Sequence, residues 1–259
     1  MTTPSDAKLK ELRRLATRKG REQAGRYPLE GVRLVSAALD AGVPIAEAWL
    51  TPELSEREPG LAARLAEAGA RVGSIDPKTL ARVADTVTSQ GVLAIAERTM
   101  PPPIPTTGVV VLLDRVRDPG NVGTLLRAAD AFGAAAVLAA RGTAEITSPK
   151  VLRAAMGSAF HLPVIRTGPA LEVVLALRSA GFTALAATLD GEDVTALEVR
   201  PAKALLVLGN EADGVEPKVL EAVDGKVRIP MSGRAESLNV AIAGAVILHR
   251  LLGLRSSAP

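Results

Sequence analysis

The chain has 259 residues, 47% hydrophobic and 23% charged, so one large or two modest domains can each bury a core. It contains no cysteine, which excludes disulfides, zinc–thiolate sites, iron–sulfur clusters and cysteine nucleophiles. His161 and His249 are the two histidines, too few for a histidine-built centre, and no metal is expected. No apolar run reaches the roughly 18 residues that span a bilayer, and the N-terminus shows no apolar signal core. A cytoplasmic protein without membrane contact is expected.

The net charge of +3 is unevenly placed. Residues 1–26 carry eight basic groups against three acidic ones, a local charge of +5. Such a cluster suits either a solvated helix face or a contact with nucleic-acid phosphates, which it favours by releasing counterions. Arg13, Arg14, Arg18, Lys19, Arg21 and Arg26 are the expected RNA contacts. Aromatic residues make up 2% of the chain, too few for a base-stacking platform, so charge and shape must dominate RNA recognition.

Residues 28–43 show apolar positions at helical spacing and stop at Gly42. A short strand and turn follow over 45–53, then a helix over 59–69 and a strand over 70–75. The next helix starts at Pro77 with Asp76 as its cap, and a closing strand covers 91–97. This is a small alternating α/β domain, residues 1–98. Residues 99–107 form a stiff linker, because proline can continue neither a helix nor a central strand.

From residue 108 to 259 the pattern changes to continuous Val/Leu/Ala strands separated by helices. Strands are expected at 108–114, 135–140, 162–166, 182–189, 202–209 and 225–230. Helices are expected at 121–133, ended by Gly133, and at 148–160, 169–181, 216–223 and 237–253. Apolar strands of this kind predict a parallel sheet covered on both faces.

Three loops at strand carboxyl ends carry the chemistry: "DPGNVG", "LGNEADGV" and "IPMSGRAESLNV". Open parallel sheets bind ligands there, and glycines at 120, 123, 209, 214 and 233 let the backbone approach one closely. Neither dinucleotide nor P-loop glycine patterns occur, and there is no nucleophile elbow. Arg127, in the helix after the first loop, is a permanent cation suited to a phosphate. Asn121 reads as that helix's cap, and Ser237 as a cap for the last helix.

"DPGNVGTLLRAADAFGA", "LVLGNEADGV" and "RIPMSGRAESLNVAIAGAVIL" together resemble the three ordered motifs of the SpoU/TrmH-type RNA ribose 2′-O-methyltransferases of the SPOUT class. The resemblance runs from about residue 108 to 253. Residues 8–39 are more weakly similar to the family's N-terminal, ribosomal-protein-like substrate-binding domain.

The resemblance implies a C-terminal trefoil knot, a homodimer joined near the last helix, and S-adenosylmethionine as cofactor. Carried over by motif, Gly209, Ile229 and Leu238 contact the cofactor, with Thr188 as a further contact. Asn121, Arg127, Glu211, Ser237 and Asn239 form the catalytic set, with Glu211 as a brace. Ribosomal RNA is the expected substrate and transfer RNA the alternative. Two other classes stay open: an RNA-binding module without activity, and a hydrolase built on Ser158 and His161. Arg153 fits either an RNA contact or a plain helix face, while His161 and His249 read as structural.

Overall fold

A computed structural model of the chain describes residues 2–85, 89–196 and 202–252. They form two compact units, Met1–Met100 with Thr147–Phe160, and Pro101–Ile146 with His161–Pro259.

The first unit begins with α1 (Asp6–Arg14) and α2 (Arg18–Ala24), then β1 (Arg26–Glu30) and α3 (Val32–Asp40). β2 (Ile45–Leu50), α4 (Pro52–Arg57), α5 (Pro59–Glu67), β3 (Arg71–Ser74), α6 (Pro77–Ala81) and β4 (Val92–Glu97) follow. Asp76 caps α6 by accepting the N–H of Thr79. The strands form one sheet in the order β1-β4-β2-β3, with β2 and β3 parallel and the other pairs antiparallel.

The period of two along β4 explains its two-sided burial. Val92, Ala94 and Ala96 enter one core with Leu29, Leu50 and Leu65, while Leu93 and Ile95 enter another with Leu12, Trp49 and Leu80. One expectation fails here. Residues 28–30 are strand rather than helix start, with Pro28 opposite Ile95. β1 is an edge strand, the position where a proline without an N–H is tolerated.

The second unit contains β5 (Gly108–Leu113), α7 (Pro119–Phe132) and β6 (Ala136–Ala139). The connection from β6 carries α8 (Pro149–Ala155). Packing and sequence boundaries differ at this helix, which was expected within the domain starting at 108. It packs on β1 in the first unit, where Leu152 is 1% exposed. The second unit resumes with β7 (Val164–Arg166), α9 (Ala170–Ser179), β8 (Thr183–Asp193), β9 (Lys203–Leu208), α10 (Pro217–Ala222), β10 (Gly225–Arg228) and α11 (Val240–Leu252).

All pairs in the second sheet are parallel, in the order β10-β8-β9-β5-β6-β7. Alternate residues of β5, β6, β8 and β9 pack with Val174 and Leu177 of α9 and Val219 of α10. α7 and α11 pack against one another. Gly244 makes that approach possible, because a Cβ there would lie 2.4 Å from Leu125 Cδ2 and 2.8 Å from Leu208 Cδ1.

β8 departs from the expected simple strand. Its register with β10 jumps from Ala186↔Lys226 to Glu192↔Val227, so residues 187–191 leave the ladder between two paired stretches. That excursion carries Thr188.

Among the described residues no helix is long and apolar enough to cross a membrane.

Candidate active site

β5 and β9 are neighbours at the centre of the sheet, while β6 and β7 lie to one side and β8 and β10 to the other. Winding reverses at such a pair, and the carboxyl ends of its strands open onto a crevice. The loops leaving β5 and β9 meet there, and one carboxylate gathers several of the bonds between them. Glu211 accepts the N–H of Arg117 at 3.2 Å and of Asp118 at 3.1 Å. It also accepts from Asn121 Nδ2 at 3.0 Å.

The chain of bonds continues to the third loop. Asn239 Nδ2 donates to Asn121 Oδ1 at 2.9 Å, and Asn239 Oδ1 accepts the N–H of Ala241 at 2.9 Å. Asn239 therefore caps α11 and holds Asn121 at the same time. Segments separated by about a hundred residues are fixed to one another by three side chains.

Burial alone would push the Glu211 carboxyl up. Hydrogen bonds from Asn121 and from the N–H groups of Asp118 and Arg117 outweigh it and hold the group below the ordinary glutamate value. Glu211 is thus a carboxylate at neutral pH, an acceptor and not an acid.

Asn210 supports this arrangement and was not singled out in the sequence. It is 7% exposed and donates to Arg115 O at 2.8 Å and to Glu211 Oε2 at 3.3 Å. Its Oδ1 accepts the N–H groups of Ala212 and Asp213 at 3.0 and 3.1 Å. An asparagine whose oxygen bonds the backbone two and three residues on is a turn signal, so "NEADG" holds a clue to it. Arg115 presents its carbonyl from a left-handed backbone with φ 58, a conformation costing on the order of 1 kcal/mol. Its guanidinium donates to both oxygens of Asp114, itself 1% exposed.

Gly209 has no room for a side chain. A Cβ there would lie 2.2 Å from Gly214 C and Val215 N, because the loop closes on itself through paired backbone bonds between Asn210 and Gly214. The closed loop forms one side of a cavity of about 530 Å³, inside the usual range for small-ligand sites. Thr188, Gly209, Glu211, Ile229, Ser237, Leu238 and Asn239 all line it. The Thr188 hydroxyl is buried and, after Lys226, helps hold the Asp190 carboxyl below the ordinary aspartate value.

Two expected site residues, Asn121 and Arg127, lie outside the cavity. Asn121 lines no part of the cavity and touches it through Glu211 and Asn239. It is not the cap of α7: Asp118 is, accepting the N–H of Asn121 at 2.9 Å. Ser237 does line the cavity but is not the cap expected for α11, a role Asn239 takes. Arg127 stands on α7, exposed, with no ion pair or hydrogen bond among the described residues. His161 binds Asp130 Oδ2 at 2.9 Å, and His249 packs edge-on against Phe132 with ring centres 5.4 Å apart.

The cations expected to face RNA divide into two kinds. Arg21 is 4% exposed and donates to Leu15 O at 2.8 Å and Ala16 O at 2.9 Å, so it is structural. Arg26 pairs with Glu97, Arg18 with Glu22, and Arg14 donates to Gln23. Arg13 and Lys19 are exposed without such partners among the described residues. Arg21→Ala should lower unfolding stability by about 2 kcal/mol, since buried carbonyls lose charged donors. A denaturation midpoint unchanged from the parent contradicts that assignment.

Comparison with known proteins agrees with these features. The pattern of the SpoU rRNA Methylase family matches residues 108–249, and that of an MRM3-like substrate binding domain matches residues 6–94. A 23S rRNA (guanosine(2553)-2′-O)-methyltransferase of Bacillus subtilis is 35% identical over 251 residues, 95% of this chain and 96% of its own. A 23S rRNA (uridine(2479)-2′-O)-methyltransferase of Streptomyces viridochromogenes is 31% identical, covering 94% of this chain and 88% of its own. The structure of an AdoMet-bound rRNA methyltransferase from Sinorhizobium meliloti superposes with a TM-score of 0.85 at 31% identity, covering 97% of this chain and 96% of that one. The chain belongs to the SpoU rRNA methylase family.

Proposed function

We propose that this protein methylates a ribose 2′-hydroxyl of ribosomal RNA with S-adenosylmethionine as donor. The observation that carries the reading is the Glu211–Asn121–Asn239 network beside a cavity that the buried Thr188 hydroxyl also lines. The donor set fits the cofactor. Leu208, Val215, Ile229 and Leu238 supply apolar walls, and Thr188 and the loop after Gly209 supply the few polar contacts a nucleoside needs.

Bound S-adenosylmethionine would supply a methyl group on a cationic sulfur with a neutral thioether as leaving group, chemistry that calls for no metal, and Thr188, Gly209, Ile229 and Leu238 would hold it. Arg127 grips a substrate phosphate with its two-pronged guanidinium, and Ser237 and Asn239 orient the ribose. A guanidinium does not titrate near neutral pH, so the hydroxyl proton passes to a phosphate oxygen that Arg127 keeps in place. Glu211 remains ionised and holds Asn121 and the first loop in register. Positioning of this kind supplies several kcal/mol of barrier reduction.

The relatives' names favour ribosomal over transfer RNA, and they include a guanosine and a uridine site. A module without activity has no need for a fully bonded catalytic network. The reading includes a trefoil knot at the three tied loops. It also includes a dimer along α11, whose Ile242 and Val246 are 54% and 40% exposed.

Calorimetry tests the cofactor. Binding of S-adenosylmethionine should persist in excess chelator, and Thr188→Val should weaken it about tenfold by removing one hydrogen bond. Thr188→Val should change stability by no more than about 1 kcal/mol, because the group the hydroxyl meets, Asp190, is exposed and water can replace it. Wild-type affinity in that variant rejects the role. Charge reversal at Arg13 and Lys19 should weaken RNA binding and reduce its salt slope by about two, one for each phosphate that is no longer neutralised. An unchanged slope assigns those cations to a solvated face.

A further inference from the structure

The first unit has a second cavity, of about 370 Å³, lined by Glu30, Arg33, Leu34, Gln90, Arg153 and Met156 among others. Its floor is apolar. Leu34 and Leu152 belong to the core of the unit. Its polar rim is unusual in keeping donors unspent. Arg153 Nη2 bonds Asp85 Oδ2 at 2.8 Å, but Nη1 is buried with no hydrogen-bond partner. Nη1 lies 3.9 Å from Glu30 Oε2, inside ion-pair reach and outside hydrogen-bond distance. Arg33 is exposed, with no partner among the described residues.

Met156 adds an independent sign. It ends α8 in the left-handed region at φ 53, where glycine is the ordinary residue, and its side chain is 55% exposed. Its exposed part lines the cavity and is available to a ligand face.

We infer that this cavity takes a single unstacked guanine of the RNA substrate, an inference that rests on the RNA reading above. A carboxylate beside a guanidinium is the complement of guanine, which offers N–H donors on one edge and the O6 and N7 acceptors on another. Glu30 Oε1 already accepts the N–H of Asp85 at 2.6 Å, so Oε2 is the oxygen that accepts from the Watson–Crick edge, while Arg153 Nη1 donates to O6 or N7. Met156 and Leu34 cover the faces of the ring, in a protein with few aromatic residues to stack on it. A phosphate alone is disfavoured by the Glu30 charge, so Arg33 at the mouth is the group that meets the backbone. Reading an unpaired base in this way is how proteins select RNA sequence outside helices.

Methyl-labelled methionine makes the test direct, because the full chain has four methionines and Met231 lines the other cavity. GMP, AMP, CMP and UMP are added in turn to the protein, and the Met156 and Met231 methyl signals are followed. GMP should shift Met156 saturably and at least about tenfold more tightly than AMP, CMP or UMP, leaving Met231 still. Glu30→Gln should lose that preference. Arg33→Ala, a change at an exposed side chain that leaves the fold intact, should weaken GMP but not guanosine. No Met156 shift with GMP, equal shifts with all four nucleotides, or a GMP response confined to Met231 overturns the proposal. A Met231 shift on adding S-adenosylmethionine is read in the same samples. It reports the cofactor reading separately, so either can fail alone.

Discussion

Replacing Glu211 by alanine should reduce methyl transfer by about two to three orders of magnitude, the usual loss when a preorganised polar array is dismantled. Four donors converge on this carboxylate: two backbone N–H groups and the amides of Asn121 and Asn210. Without it the loop after β5 keeps its bonds to the loop after β9 through Asn210 and Asp114, but Arg117, Asp118 and Asn121 lose their shared acceptor, and Asn239 holds an Asn121 that Glu211 no longer anchors. Stability should fall by only about 1 kcal/mol, because the side chain is exposed and water can replace part of the bonding. Glu211→Gln keeps the shape but places an N–H₂ among donors, so it should recover little of the rate.

The same site makes a pH prediction. The folded pKa of Glu211 is depressed, so its contribution to stability is complete above the unfolded glutamate value, about 4.3. It is lost as pH falls through the lower folded value. Wild type and Glu211→Ala should therefore differ in stability at neutral pH and converge under strongly acidic conditions. A constant difference across that range contradicts the assignment.

Arg127→Ala should cut turnover by about a hundredfold or more while leaving cofactor affinity within about twofold. The cofactor cavity lies among other loops, and Arg127 lines no part of it. Stability should not change. A buried, unpaired charge would have made its removal stabilising, but Arg127 is exposed and that gain is absent. Arg127→Lys should rescue poorly, because an ammonium cannot form the planar two-pronged contact. A fall in melting temperature instead of turnover would assign the residue to the fold.

Much of the second unit was legible because its strands are unbroken Val/Leu/Ala runs between glycines and prolines, the pattern of a sheet buried on both faces. The three loops were legible for the same reason, as the polar interruptions of that pattern. What escaped depended on tertiary partners. β1 contains a proline that reads as a helix start until its edge position is known. α8 looks like its neighbours in sequence, and nothing local says that Leu152 enters the other unit's core. Arg21 belongs to a basic run, yet the carbonyls that claim it are set by the turn between α1 and α2. In the site, the resemblance of the three motifs pointed to Glu211, Asn121 and Asn239, but not to how they connect. Asn210, which holds the glutamate from behind, carried only a turn signature.

Methyl transfer itself tests the central claim most directly. The protein is incubated with methyl-labelled S-adenosylmethionine and with ribosomal and transfer RNA lacking their modifications, and the RNA is then separated and hydrolysed in alkali. Label should appear in a single alkali-resistant dinucleotide of ribosomal RNA, absent with Glu211→Ala and strongly reduced with Arg127→Ala. Label confined to a base, to transfer RNA, or undiminished by either variant would contradict the account.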